Sequence, residues 1–146
     1  MNFFSKSFSE LTNDELYGIL KARFQIFVTE QKYLRLDPDG ADPECLHCFI
    51  KNGDTVVACL RAQYTDSSKT EVKIGRIVTL NHGGGIGRLL MTESISAIKE
   101  KMPFTRLYVH SRDTAVGYYE KMGFTIASDE FDDCGATHIE MEYKGR

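Results

Sequence analysis

Apolar positions recur along the chain in two rhythms, and the switches between them mark its elements. Phe3, Phe4 and Phe8 open a short extended segment. Thr12-Asn13-Asp14-Glu15 then reads as a capping box, with Thr12 as N-cap and Glu15 reaching back. Leu16, Ile19, Leu20, Arg23, Phe24 and Phe27 follow at helical spacing and predict a helix to about Glu30. Leu46–Ile50 and Thr55–Tyr64 read as strands joined by a turn at Lys51-Asn52-Gly53-Asp54. Next comes a strand with Val72, Ile74, Val78 and Leu80 on one face and Ile77 covering the other. Ile86, Leu89, Leu90, Ile95, Ile98 and Met102 predict an amphipathic helix, which Pro103 stops.

Arg106-Leu107-Tyr108-Val109-His110 returns to a strand, so 72–110 forms a βαβ unit with parallel strands. A short helix over Thr114–Met122, capped by Asp113 or Thr114 and closed by Gly123, leads to last strands near Phe124–Ala127 and His138–Tyr143. An antiparallel meander feeding a parallel unit gives one α/β domain over residues 1–146, its mixed sheet flanked by helices.

Composition narrows the class without choosing a function. The chain has 146 residues, 42% hydrophobic and 27% charged, as in one compact globular domain. A net charge of -3 and a pI near 5.8 argue against nucleic acid or an anionic membrane as partner. No apolar run approaches the roughly 20 residues of a membrane span. Met1-Asn2-Phe3-Phe4 lacks the basic flank and apolar core of a signal peptide, so a cytoplasmic location is expected. Cys45-Leu46-His47-Cys48 has knuckle spacing, but no second pair completes a zinc site and Cys134 stands alone; no metal is expected.

The chemistry gathers between the central strand and the helix after it. Gly83, Gly84, Gly85 and Gly87 join the two, where bare backbone amides and a helix dipole suit an anion, most naturally phosphate. Arg88 faces the positive end of that dipole, a placement that a bound polyphosphate would reward and that solvent exposure would explain equally well. A P-loop would need Gly-Lys-Ser/Thr, whereas Gly87 is followed by Arg88-Leu89. A dinucleotide fingerprint fails because Leu90 stands at its third glycine.

His82-Gly83-Gly84-Gly85-Ile86-Gly87 resembles the acetyl-CoA pyrophosphate loop of the GNAT N-acetyltransferases, with His82 where Arg or Gln is usual. Ala115-Val116-Gly117-Tyr118-Tyr119-Glu120-Lys121-Met122-Gly123-Phe124 resembles the second motif of that superfamily, with Arg112 at its Asn position. Ile26–Gln31, Asp39–Asp42, Leu46-His47 and the tail from Phe131 to Met141 look like the ElaA-like branch.

The resemblance implies a GNAT-like fold and an acetyl-CoA-dependent N-acetyltransferase. Such an enzyme transfers its acetyl group directly to an amine of a small molecule or peptide. It implies a donor site at Ile77, Val78, Thr79, His82, Gly83, Gly84, Gly85, Ile86, Gly87, Arg88, Arg112, Ala115 and Tyr119. Tyr119 would protonate the departing thiolate, and a backbone N–H near Val78 or Thr79 would polarise the thioester carbonyl. Glu30, His47 and His110 are the candidates to take the amine's proton. A catalytically weak acyl-CoA-binding or sensing module is the alternative, and a non-enzymatic interaction domain is a third reading. Monomer and homodimer both stay open. Finally, Glu30, Asp37, Asp39, Asp42 and Glu44 form an acidic stretch. It is either a solvated turn or a carboxylate wall that collects cationic amines.

Overall fold

The computed structural model describes residues 1–33, 35–80 and 83–145. An eight-stranded sheet runs through it, in the order β1 (Asn2–Ser7), β2 (Leu46–Asn52), β3 (Thr55–Tyr64), β4 (Glu71–Thr79), β5 (Arg106–Arg112), β8 (Ala136–Tyr143) and β6 (Phe124–Ile126). The short β7 (Phe131–Asp133) pairs with β8. Among the described residues only β4 and β5 are parallel neighbours, because α2 (Ile86–Lys101) carries the chain across one face between them. This is the expected α/β architecture with a mixed sheet.

The other face is covered by α1 (Asn13–Arg23), which starts as its sequence dictates. The Glu15 amide donates to the Thr12 hydroxyl at 3.1 Å, and Glu15 Oε1 accepts from the Thr12 amide at 2.9 Å. The helical path does reach Glu30, but Phe24–Glu30 is a π-helix. Its widened turn ends with the Gln31 amide donating to the Ile26 carbonyl at 2.8 Å. That change of period rotates the apolar stripe. Ile26 is buried, and Phe24, which the spacing placed in the core, is exposed at 59%.

The central strand also differs from its sequence pattern. Cys59 pairs with Val78, yet Arg61 pairs with Gly75, so β4 carries one extra residue. Arg76, at φ 51°, occupies this bulge. An inserted residue inverts the alternation beyond it. Val72 and Ile74 therefore pack on the α2 face, Val78 and Leu80 on the α1 face, and Ile77 on the α2 side. The single apolar face expected for all four residues is corrected by that bulge.

The larger core lies under α2, where Leu90, Met91 and Ile98 meet Ile50, Ile74 and Leu107. The short α3 (Val116–Glu120) sets Tyr119 against the same core. β7 and β8 are linked by a tight turn at Cys134 (φ 53°) and Gly135 (φ 82°), a hairpin absent from the expected strands.

Candidate active site

A cleft opens where the sheet stops being a sheet. β4 and β5 pair from Glu71–Arg106 to Ile74–Val109 and no further. The bulge at Arg76 then turns β4 away, leaving a wedge with a volume of about 380 Å³. Gly75 and Ile77 line one side, His110 and Arg112 the other. Ala115 and Tyr119 lie at the α3 end, and Phe27, Tyr33 and His138 belong to the walls.

Backbone direction turns amide donors toward that wedge. The Leu80 amide donates to the Val57 carbonyl of β3 at 2.8 Å. Successive amides of an extended strand point to opposite edges, so the Thr79 and Ile77 amides face the gap and that of Val78 faces β3. The Val78 side chain is buried on the α1 face.

The glycine loop enters α2 with three left-handed residues in succession, Gly83 (φ 93°), Gly84 (φ 72°) and Gly85 (φ 79°). Side chains resist that conformation by about 1–2 kcal/mol each. Gly85 is the N-cap, no side chain among the described residues caps the helix, and the first-turn amides of Ile86, Gly87 and Arg88 lack intrahelical acceptors. Ile86 is buried beneath the loop and Arg88 is exposed. A Cβ on Gly87 would lie 2.7 Å from the Tyr118 hydroxyl and 3.7 Å from Thr79. Tyr118 in turn stands edge-on to Tyr119, ring centres 5.2 Å apart. The two sequence motifs thus meet at the α3 tyrosines. His82 lies outside the described residues.

Tyr119 is nearly buried, and burial, with Tyr118 beside it, pushes its phenol well above the ordinary value. It stays protonated at neutral pH. His110 Nε2 donates to Glu140 Oε1 at 3.1 Å, a geometry that leaves Nδ1 as the lone-pair nitrogen. Glu140 is itself gripped by Arg106. Burial holds His110 below its usual pKa, helped by Lys73 and opposed by Glu140 and Asp133, so the imidazole is neutral at pH 7. An edge contact of 5.1 Å with Phe131 fixes the ring.

Two other base candidates stand apart from the cleft lining. His47 is 1% exposed, and its Nε2 donates to the Asp42 carbonyl at 2.8 Å. Glu30 is exposed at the end of the π-helix. The lining also contains Tyr33, Arg35 and Lys73, outside every motif, and Asp133, Cys134 and His138, which lie in the ElaA-like tail but are not singled out as site residues. Lys73 alone had a local signal, as a charge on the polar side of an apolar strand.

Three carboxylates of the acidic stretch, Asp37, Asp39 and Asp42, are held in ion pairs, while Glu30 and Glu44 are exposed. Arg23 pairs with Asp37 (2.8 Å) and Asp42 (2.9 Å), and Arg61 with Asp39 (2.7 Å) and Asp42 (2.9 Å). Arg76, at the bulge, pairs with Asp37 (2.9 Å) and Asp39 (3.3 Å). Three guanidinium groups neutralise three carboxylates. For Asp37, Asp39 and Asp42 the solvated turn and the amine-collecting wall give way to a strut between the loop and the central strand. Among the described residues no cluster of His, Cys, Asp and Glu is arranged to hold a metal, and no helix is long and apolar enough to cross a membrane.

Residues 38–144 match the family model described as an acetyltransferase (GNAT) domain. A UPF0039 protein of Schizosaccharomyces pombe is 30% identical, over 97% of this chain and 95% of that one. The crystal structure of Escherichia coli ElaA superposes with a TM-score of 0.90 at 26% identity, covering 98% of this chain and 99% of that one. An acyl-CoA N-acyltransferase from Pseudomonas aeruginosa matches with the same TM-score and coverage at 27% identity.

Proposed function

The chain belongs to the GNAT acetyltransferase family, in its ElaA-like branch, and from that premise we propose that it moves an acetyl group from acetyl-CoA directly to an amine held in the β4–β5 cleft. The observation that carries this is the meeting of a buried phenol, Tyr119, and a neutral, carboxylate-oriented imidazole, His110, on the lining of one wedge.

The donor's pyrophosphate is held by the amides from Gly83 to Arg88, where the α2 dipole favours negative charge. Its pantetheine arm lies between β4 and β5, past Ala115 and Arg112. The thioester oxygen accepts from the gap-facing amides of Ile77 or Thr79, which stabilise the developing oxyanion. The neutral amine attacks the carbonyl carbon, and a C–N bond forms. His110 Nδ1 takes the proton from that nitrogen, directly or through one water. Collapse of the tetrahedral intermediate breaks the C–S bond, and Tyr119 protonates the leaving sulfur. Phenol to thiolate is an uphill transfer, since a phenol titrates near about 10 and a thiol near about 8.5. Burial of Tyr119 steepens it, so placement must supply the difference.

Incubation with acetyl-CoA and a panel of amines, read as free thiol released with acetylated product, tests the proposal. Thiol release that depends on amine supports it; acetyl-CoA binding without turnover of any amine would refute it.

A further inference from the structure

The charges of the cleft do not balance, and the imbalance has a sign. Its charged lining residues among those described are Arg35, Lys73, Arg76, Arg112 and Asp133. Arg35 pairs with Asp133 at 3.4 Å, and Arg76 is spent on Asp37 and Asp39. Among the described residues Arg112 donates only to a neutral group, the Tyr33 hydroxyl, at 3.2 Å. Lys73 is half-buried, and its ammonium makes no hydrogen bond or salt bridge with any described residue. Burial lowers its pKa; Asp133 opposes that from across the cleft, while Arg76, Arg61 and Arg35 reinforce it. A half-buried cation without an ion-pair partner among the described residues raises the free energy of the empty site. An anion placed beside it relieves both deficits.

The donor does not fill this place, because its phosphates belong to the glycine loop at the far end of β4. Lys73 precedes the bulge and lies beside β5, where it acts directly on His110. It therefore faces the acceptor's side of the transfer. We propose that the acceptor is a small amine whose own skeleton carries a carboxylate, and that Lys73 receives that carboxylate, Arg112 adding to the field at the mouth. This rests on the acetyltransferase reading and narrows its substrate. The same surplus of positive charge favours loss of the proton from an ammonium bound there, so the reacting nitrogen arrives neutral. Polyamines, by contrast, would bring further cations into an already positive cleft.

The test compares matched acceptors: γ-aminobutyrate with butylamine, and lysine with cadaverine, each with acetyl-CoA and read as thiol release. The expected result is a kcat/KM about 10–100-fold higher for the carboxylate-bearing member of each pair, which corresponds to about 1.4–2.7 kcal/mol. Lys73→Met should collapse that ratio toward one, mainly through KM of the anionic acceptor, and Lys73→Arg should restore much of it. Calorimetric binding of acetyl-CoA reports that each variant is folded, and Lys73→Gln replaces Lys73→Met if the latter does not fold. Turnover with equal or greater preference for butylamine and cadaverine would overturn this inference and leave the acetyltransferase reading standing. Loss of turnover in Lys73→Met to the same extent for every acceptor would overturn it too, by making Lys73 part of the common chemistry. Absence of thiol release from all four acceptors would sink both.

Discussion

Replacing Asp42 by Asn separates a structural strut from an amine-collecting wall. Asp42 is 6% exposed and accepts from Arg23 Nη1 and Arg61 Nη1, both at 2.9 Å, and from Arg23 Nη2 at 3.3 Å. Burial raises its pKa, but the bonds to Arg23 and Arg61 outweigh that and hold it below the usual carboxylate range. Removing one partner of a buried ion pair costs about 3–5 kcal/mol. The lower end applies, because Arg23 keeps Asp37 and Arg61 keeps Asp39. For 146 residues the unfolding entropy is about 0.3 kcal/mol per kelvin, so Tm should fall by about 10 °C. Asp39→Asn is the control. Its side chain is 38% exposed, solvent screens its pairs, and the expected loss is under about 1 kcal/mol, or about 3 °C. Thermal unfolding followed by far-ultraviolet circular dichroism reads both variants. A wild-type Tm for Asp42→Asn, combined with a raised KM for a cationic amine, would refute the strut and restore the wall.

Tyr119→Phe should lower kcat by roughly ten- to a thousand-fold while acetyl-CoA affinity holds, as loss of a general acid does; unchanged kcat with chemistry rate-limiting would remove Tyr119 from the mechanism. Gly85→Val forces a branched side chain into φ 79° and places it where the pyrophosphate would approach the backbone, so calorimetry should show acetyl-CoA binding at least tenfold weaker. Wild-type binding by that variant would misplace the donor site. Glu140→Gln removes a group that raises the pKa of His110, leaving burial and Lys73 lowering it and Asp133 still opposing them. The acid limb of kcat/KM should therefore move to lower pH. A shift to higher pH, or none, would dissociate His110 from that limb.

Local signals in the sequence were legible because local geometry enforces them. The capping box at Thr12 and Glu15, the glycine run before α2 and the turn between the apolar runs of β2 and β3 each involve neighbours in the chain. What escaped depends on contacts across the fold. Nothing local marks Arg76 as a bulge, since Glu71–Leu80 reads as an unbroken strand. One inserted residue nevertheless moved Val78 and Leu80 to the opposite face and opened the cleft. The π-turn at Phe24–Glu30 likewise exchanged Phe24 for Ile26 in the core. The partners of Asp37, Asp39 and Asp42 lie 14 to 39 residues away, so three carboxylates that look unpaired along the chain are neutralised in place. The same reason hid the wall formed by Tyr33, Arg35 and Asp133. His110 and His47 were equals as sequence symbols, and only burial and the Glu140 contact distinguish them.

The most direct measurement of the central claim is a paired time course of free thiol and acetylated amine, with γ-aminobutyrate as acceptor, for the wild type and Tyr119→Phe. Transfer at the β4–β5 cleft predicts that thiol and acetylated product rise together, one for one, in the wild type, and that both slow by at least tenfold in the variant. Thiol released without acetylated amine, or product formed equally fast by the variant, would contradict it.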